Sequence, residues 1–466
     1  MLEMFFDPKS VAVIGASRDP KSAGYGILKS LLKGGVFESE TNIPFKGKVY
    51  AINPKAKKLL GIKCYASILE IKNKIDLAVI VVPAKIVPAV MKDCAKKKVK
   101  GAIIISAGFG EIGETGKKLE EEVLGIAKKA GIRIVGPNCL GLMRPTNSLN
   151  ATFGPCMAPK GNVAFFSQSG ALVDSVIDWS LERNYGFSVV VSMGNSADLS
   201  VSDFLLWAES DKNTKAIALY LEGLKDGKLF MKVAKQVGIK KPIVVLKAVR
   251  SATGMSAVSS HTGSLAGSYE IYLAAFKQCG IHVANDVDDL FEMAEALADQ
   301  PPCKENGIAI ITNGGGAGVL CADHCEKLGL KLTKLSDATV KKLDLSGKMH
   351  PAYSRKNPLD LVGDALHERY VSALDAVMKQ SDVHGVIVIQ TLQTMTEPIL
   401  DAKAVIAARK KYPSKPIVTS YMGGKFSRAS VELLEANHVP DFNVPYKSAR
   451  AMNALVERGK WLRGRK

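Results

Sequence analysis

Short apolar runs rich in β-branched residues recur along the chain, and each is followed by a stretch with helical spacing. The runs are SVAVIGAS, KVYAIN, DLAVIVVP, GAIIISAGF, IRIVGPN, NVAFFSQSG, FSVVVSMG, AIALYLEG, PIVVLKA, GIAIITNGGG, GVIVIQT and PIVTSYMGG. Their apolar positions are continuous rather than alternating, as in strands covered on both faces. Continuous strands alternating with helices predict parallel α/β sheets. Several runs end in Gly, Ser or Asn, and in such folds ligands lie at the carboxyl ends of the strands. Two punctuations interrupt the pattern. RPTNSLNATFGPCMAPKGN (144–162) is polar and aperiodic, and DQPPCKENG (299–307) pairs two prolines before a new strand. Three α/β units are therefore expected: 1–145, 146–298 and 299–466.

Composition changes this picture little. The 466 residues are 47% hydrophobic and 23% charged, ordinary for a globular protein. No apolar run reaches the ~18 residues of a membrane span. The opening MLEMFFDPKS lacks the basic region and long apolar core of a signal peptide, so a cytoplasmic chain is expected. The eight cysteines (Cys64, Cys94, Cys139, Cys156, Cys279, Cys303, Cys321 and Cys325) contain no Cys-x-x-Cys, and a reducing compartment is the natural reading. Cys321, His324 and Cys325 stand close in a predicted helix, but no partner cluster makes them a zinc site. The net charge of +18 is carried mainly by lysines on solvated helix faces. No nucleic-acid recognition element accompanies it, and small polyanions suit such a surface equally well.

Candidate chemistry gathers at the strand ends. SVAVIGASRDPKSAGYGIL reads as strand, glycine turn and helix, yet Gly15 is followed by Ala16 and Ser17 rather than by the dinucleotide spacing. After the second strand stands Asn53-Pro54-Lys55, where a nicotinamide enzyme wants Asp or Glu for the ribose. A phosphate-bearing ligand larger than NAD, with Lys55 on a phosphate, is the better expectation, beside the alternative of a plain Rossmann-like unit. Ser167-Gln168-Ser169-Gly170 and Asn313-Gly314-Gly315-Gly316 both lead from a strand into a helix, offering N–H groups and the positive dipole end to an anion. Either turn alone is more often structural. His261 stands in VSSHTGSLAG, a loop too bare to bury an imidazole. It is an idle loop histidine, a neighbour of the helix start near Ser268, or a nucleophile whose phosphorylated form needs such cradles. Glu222, ending ALYLE, either faces water or holds the far nitrogen of a histidine and fixes its tautomer.

Taken in order, VIGASRDPKSAGYGI, INPK, GPNCLGLM, FFSQSG, LEG, SSHTGSLAG and ITNGGGAG resemble the α subunits of the nucleoside-diphosphate-forming acyl-CoA synthetases. This is the superfamily of succinyl-CoA synthetase, and the likeness is nearest to the archaeal ADP-forming acetyl-CoA synthetases, across essentially the whole chain. It implies a Rossmann-like CoA-binding domain followed by two flavodoxin-like ligase domains. It implies that phosphate attacks acyl-CoA, that a histidine takes the phosphoryl group from the acyl phosphate, and that ADP receives it. By position that histidine is His261 and its orienting carboxylate Glu222. Ser167, Gln168, Ser169 and Gly170 match one phosphate cradle, and Asn313, Gly314, Gly315 and Gly316 the other. Gly15, Ala16, Ser17, Lys55, Val82 and Pro83 match the CoA site. The acyl pocket is expected near Gly108 and Asn138, among small residues that suit a small acid such as acetate.

The family's ATP-grasp module has no counterpart in the sequence. The resemblance therefore implies a β subunit carrying ADP and Mg²⁺, in an α₂β₂ complex, with the histidine loop passing between two sites. No redox cofactor, nucleic acid or membrane partner is expected. A CoA-binding protein without chemistry would keep the first unit but not need His261 or Glu222, and an NAD-dependent dehydrogenase is disfavoured by Lys55 and the glycine spacing.

Overall fold

In the computed structural model the described residues are 2–183, 185–248 and 268–465. The chain folds into two compact units, Met1–Ala284 and Asn285–Lys466. The histidine loop, including His261, lies outside the described residues.

The first unit holds two seven-stranded sheets. One contains β1 (Ser10–Ile14), β2 (Lys48–Ile52), β3 (Lys58–Leu59), β4 (Ile62–Tyr65), β5 (Leu77–Ile80), β6 (Gly101–Ile104) and β7 (Arg133–Val135), in the order β3-β4-β2-β1-β5-β6-β7. Apart from the antiparallel β3–β4 pair, it is parallel. The other contains β8 (Gly141–Arg144), β9 (Leu149–Thr152), β10 (Lys160–Ser167), β11 (Phe187–Ser192), β12 (Ala216–Leu221), β13 (Ile243–Lys247) and β14 (His282–Val283), in the order β14-β13-β12-β10-β11-β8-β9. The second unit has a parallel four-stranded sheet of β15 (Ile308–Thr312), β16 (Leu359–Asp360), β17 (Gly385–Thr391) and β18 (Ile417–Met422), in the order β16-β15-β17-β18.

Each expected apolar run is a strand, and each central strand is buried along its length, which explains the missing alternation. Periodicity did not reveal the short edge strands or the antiparallel pair β8–β9. The pair follows from burial of polar groups within 144–162. Asn150 is fully buried; its Nδ2 donates to the Gly34 carbonyl (2.8 Å), and its Oδ1 accepts from Thr152 Oγ1 (2.7 Å). A hydrophobicity reading scores these residues as loop, whereas here they satisfy one another inside the unit. A single apolar cluster runs from Phe5 and Phe6 through Ala151 to Phe166 and Phe204, so the two sheets share a core. Phe6 stacks on Trp207 with centroids 3.7 Å apart.

The topology puts the predicted turns in equivalent places. β1 lies between β2 and β5, β10 between β11 and β12, and β15 between β16 and β17. Each is the strand at which the sheet order reverses, and the crevice beyond its carboxyl end is where such sheets bind ligands. Gly15, Ser167–Gly170 and Asn313–Gly316 occupy these three crevices.

Two expected outcomes follow from the packing. Arg144 Nη2 meets Asp211 Oδ1 at 2.8 Å with both side chains largely buried, and Asp211 also accepts from Thr214 Oγ1. Removing one partner strands a buried charge, so Asp211→Asn should lower the unfolding free energy by about 3 kcal/mol, read by denaturant titration. In the second unit, burial, with help from the Glu397 charge and against that of His367, pushes the Asp401 carboxyl up to about 7 from the ordinary 3.8. The native state then holds a proton that the unfolded chain releases. This contribution is complete below the ordinary value and is lost as pH rises through about 7. Burial also raises Glu292 and Asp441, so Asp401→Asn should reduce, without abolishing, the fall in melting temperature between about pH 5 and pH 8.

Candidate functional site

The first crevice collects the residues expected to hold CoA. Gly15 has φ +95°, and a Cβ there would lie 2.1 Å from the Val81 carbonyl oxygen, so the turn closes against the segment Val81–Pro83 only as glycine. The helix Ala23–Lys33 starts close by, capped by Ser22 Oγ, which accepts from the Tyr25 N–H. A Cβ on Gly24 would sit 2.1 Å from the Gly15 carbonyl oxygen. Gly24 is therefore a packing glycine that brings the helix start onto the turn. Asn53 ties in the second strand. Its Nδ2 donates to the Ala16 carbonyl (2.8 Å), and its Oδ1 accepts from the Lys55 N–H (2.8 Å). Arg18 Nη2 donates to the Lys55 carbonyl (3.2 Å). Ala16 is buried, Ser17 half-buried, and Lys55 and Pro83 are exposed at the rim. Asn53 and Arg18 were missed as organisers of this rim; the signal was the Asn-Pro-Lys turn itself. These small residues and rim cations suit a phosphate-bearing ligand.

The other two crevices repeat one device. At the end of β10, Ser167 Oγ accepts from the Ser169 N–H (3.1 Å) and donates to the Ser169 carbonyl (2.8 Å). At the end of β15, Thr312 Oγ1 does the same with Gly314, at 3.0 and 3.1 Å. The next residue is an amide that clamps the neighbouring strand end. Gln168 Oε1 accepts from the Glu222 and Gly223 N–H groups (2.6 and 3.0 Å), while its Nε2 donates to the Gly223 carbonyl (2.9 Å). Asn313 Oδ1 accepts from the Thr391 N–H (2.7 Å), and its Nδ2 donates to the Thr391 carbonyl (2.9 Å). In both crevices the helix then opens on small residues, at Gly170 and at Gly315. A Cβ on Gly315 would press on Asp360 Oδ2 at 2.8 Å. The two helix starts match in donor chemistry, and each can hold an anion.

The clamp brings Glu222 onto the Ser167–Gly170 turn. Lys247, missed by the sequence reading, stands beside it. Its ammonium is buried, donates to the Glu222 and Ala248 carbonyls (2.8 and 2.6 Å), and lies 4.7 Å over the Tyr272 ring. Burial pulls this ammonium below the usual lysine value, and the Glu222 charge resists the change. A lysine closing an otherwise apolar strand, IVVLK, was the available signal.

Gly108 and Asn138 are joined through residues the sequence reading did not single out. The Gly108 and Phe109 N–H groups donate to Glu111 Oε1 (2.5 and 3.2 Å), and the Gly110 N–H to Glu120 Oε2 (3.2 Å). Asn195 Nδ2 donates to Glu111 Oε2 (2.6 Å) and to Glu120 Oε2 (3.1 Å), and Asn138 Nδ2 donates to Asn195 Oδ1 (3.3 Å). Lys225, three residues past Glu222, donates to the Ser196 carbonyl (3.0 Å). Thus the loops after β6, β7, β11 and β12 are connected. Cys321 and Cys325 are buried in the helix Gly315–Lys327, and His324 packs edge-on against Tyr446 with centroids 5.1 Å apart. Among the described residues no three His, Cys, Asp or Glu side chains are grouped to hold a metal.

Comparison with known proteins resolves the family. Residues 9–145 match a CoA binding domain, residues 160–297 the succinyl-CoA ligase like flavodoxin domain, and residues 308–466 a ligase-CoA domain. The α subunit of ADP-forming acetate–CoA ligase II from Pyrococcus furiosus is 44% identical, with 99% of this chain and 98% of that protein covered. The chain belongs to the ADP-forming acetate–CoA ligase α-subunit family. The solved acetyl-coenzyme A synthetase 1 of Ca. Korarchaeum cryptofilum, in complex with phosphate and ADP, superposes with a TM-score of 0.91 at 38% identity, covering 100% of this chain and 99% of that one. Other members are longer. The chain covers 97% of its own length but 63% of the 42% identical ADP-forming acetate–CoA ligase I of Archaeoglobus fulgidus.

The clamp makes a checkable prediction for this family's fold. Gln168→Ala removes the shared acceptor of two N–H groups, at about 1–3 kcal/mol for each donor left unsatisfied. It should lower the melting temperature, read by differential scanning calorimetry, because the Glu222 strand end loses its anchor. An unchanged melting temperature would show that the clamp carries no stability.

Proposed function

We propose that this chain is the phosphoryl-accepting α subunit of an ADP-forming acyl-CoA synthetase acting on acetyl-CoA or another small acyl-CoA. The observation that carries the reading is the Gln168 clamp, which holds the Glu222 strand end against a helix start built for an anion. CoA lies in the first crevice, along Gly15–Ser17 and Val82–Pro83, with Lys55 at a phosphate. A phosphate oxygen attacks the thioester carbonyl near Gly108 and Asn138, the C–S bond breaks, and acyl phosphate and CoA result. The imidazole of His261 attacks phosphorus, the P–O bond to the acyl group breaks, and the free carboxylate leaves. Glu222 holds the other ring nitrogen, fixing the tautomer and stabilising the charge gained on attack. Ser167–Gly170 and Asn313–Gly316 are each a helix start suited to cradle a phosphoryl group.

The reading divides the chain into a CoA-binding domain at 1–145 and two ligase domains at 146–298 and 299–466, in a cytoplasmic enzyme. The partner is a β subunit with an ATP-grasp domain, holding ADP and Mg²⁺ in an α₂β₂ complex. Acetate is the first substrate to test. One relative of this chain, at 37% identity, is a 4-hydroxybutyrate–CoA ligase of Nitrosopumilus maritimus, so the acid panel extends to longer acids.

The test uses ³²P-labelled acetyl phosphate. The purified chain should take up acid-labile, base-stable label, and transfer to ADP should require the β chain. His261→Ala should abolish labelling while formation of acyl phosphate from acetyl-CoA and phosphate partly survives. Glu222→Gln should retain CoA binding, read by calorimetry, and slow labelling by about two to four powers of ten. ATP synthesis by the α chain alone would overturn the subunit assignment.

A further inference from the structure

The loop after β6 has an arrangement that the transfer chemistry does not require. Gly108, Phe109 and Gly110 offer three consecutive backbone N–H groups beside the proposed acyl pocket, with Gly108 at φ +103°. Such a run of donors ordinarily receives an anionic oxygen of a ligand. Here the protein's own carboxylates take all three: Glu111 accepts from Gly108 and Phe109, and Glu120 accepts from Gly110. Asn195, from the loop after β11, donates to both carboxylates and accepts from Asn138. Burial by itself would raise the Glu111 carboxyl, but the hydrogen bonds from Asn195, Gly108 and Phe109 outweigh it and hold the group below its ordinary value. Glu111 is therefore a fixed negative charge at neutral pH. Lys225, three residues past Glu222, is directed to the Ser196 carbonyl.

We propose that Glu111, seconded by Glu120, sets the charge selectivity of the acyl pocket and excludes acyl groups bearing a second carboxylate. The inference rests on the placement of that pocket at Gly108 and Asn138. A half-acid of the succinyl type would need N–H donors or a cation for its distal carboxylate. It meets donors already filled and a charge of its own sign. An uncharged acyl chain loses nothing there. Discrimination built from a repulsive element of this kind acts against the wrong substrate rather than for the right one.

The experiment separates charge from size by comparing succinate with pentanoate, with acetate as the reference, in the complete enzyme with its β chain. In Glu111→Gln, kcat/KM for succinate relative to pentanoate should rise by about tenfold or more. If KM for pentanoate or acetate shifts while the succinate-to-pentanoate ratio stays fixed, the pocket is correctly placed and the charge role is overturned. If no acid responds in a variant that still binds CoA, the pocket lies elsewhere and both readings fall. Should Glu111→Gln not fold, Glu120→Gln removes the other charge on the same three N–H groups and must move the ratio in the same direction; an unchanged ratio there overturns the proposal.

Discussion

An amide side chain that follows the strand at which the sheet order reverses, and clamps the end of the adjacent strand, is the interaction on which the candidate site depends. Gln168 does this for Glu222 and Gly223, and Asn313 for Thr391. Parallel strands flanking a reversal diverge beyond their carboxyl ends, where main-chain groups have no ladder partner. One amide supplies an acceptor and a donor together and so replaces the missing ladder step. The hydroxyl just before it, Ser167 or Thr312, satisfies the turn into the helix. The helix N–H groups that remain are then oriented by bonds that involve no ligand.

This arrangement also decides the electrostatics. Glu222 owes its place to main-chain bonds made at its N–H and carbonyl. Lys247 holds the Glu222 carbonyl and brings a buried positive charge to the end of that strand. Desolvation works against that charge, and the Tyr272 face and the Glu222 charge help to keep it.

In the first unit the loops after β6 and β7 and the loops after β11 and β12 form a connected system. Glu111 and Asn138 lie in loops of the first sheet, Asn195 and Ser196 in a loop of the second, and Lys225 follows Glu222. A shared apolar core around Phe6, Phe166 and Phe204 fixes the two sheets to each other, so these contacts rest on rigid elements. Polar residues of 144–162, buried and mutually bonded, form part of that junction.

The continuous apolar runs determined the alternating α/β architecture, because strands covered on both faces admit little else. The glycine turns were legible for a similar reason: Gly15 has a backbone geometry and a neighbour 2.1 Å from its would-be Cβ that no other residue tolerates. His261 and Glu222 stood out through their surroundings and through resemblance, and His261 lies outside the described residues. What the sequence could not supply was partnership across the fold. Asn150 reads as loop until Gly34 and Thr152 reach it. Glu111 reads as a solvated charge until Gly108, Phe109 and Asn195 converge on it from separate loops. Lys247 reads as a strand-end lysine until its ammonium donates to the Glu222 carbonyl. Local pattern fixes which segments are buried, but a polar side chain's role depends on which group, dozens of residues away, satisfies it, and only the tertiary structure decides that.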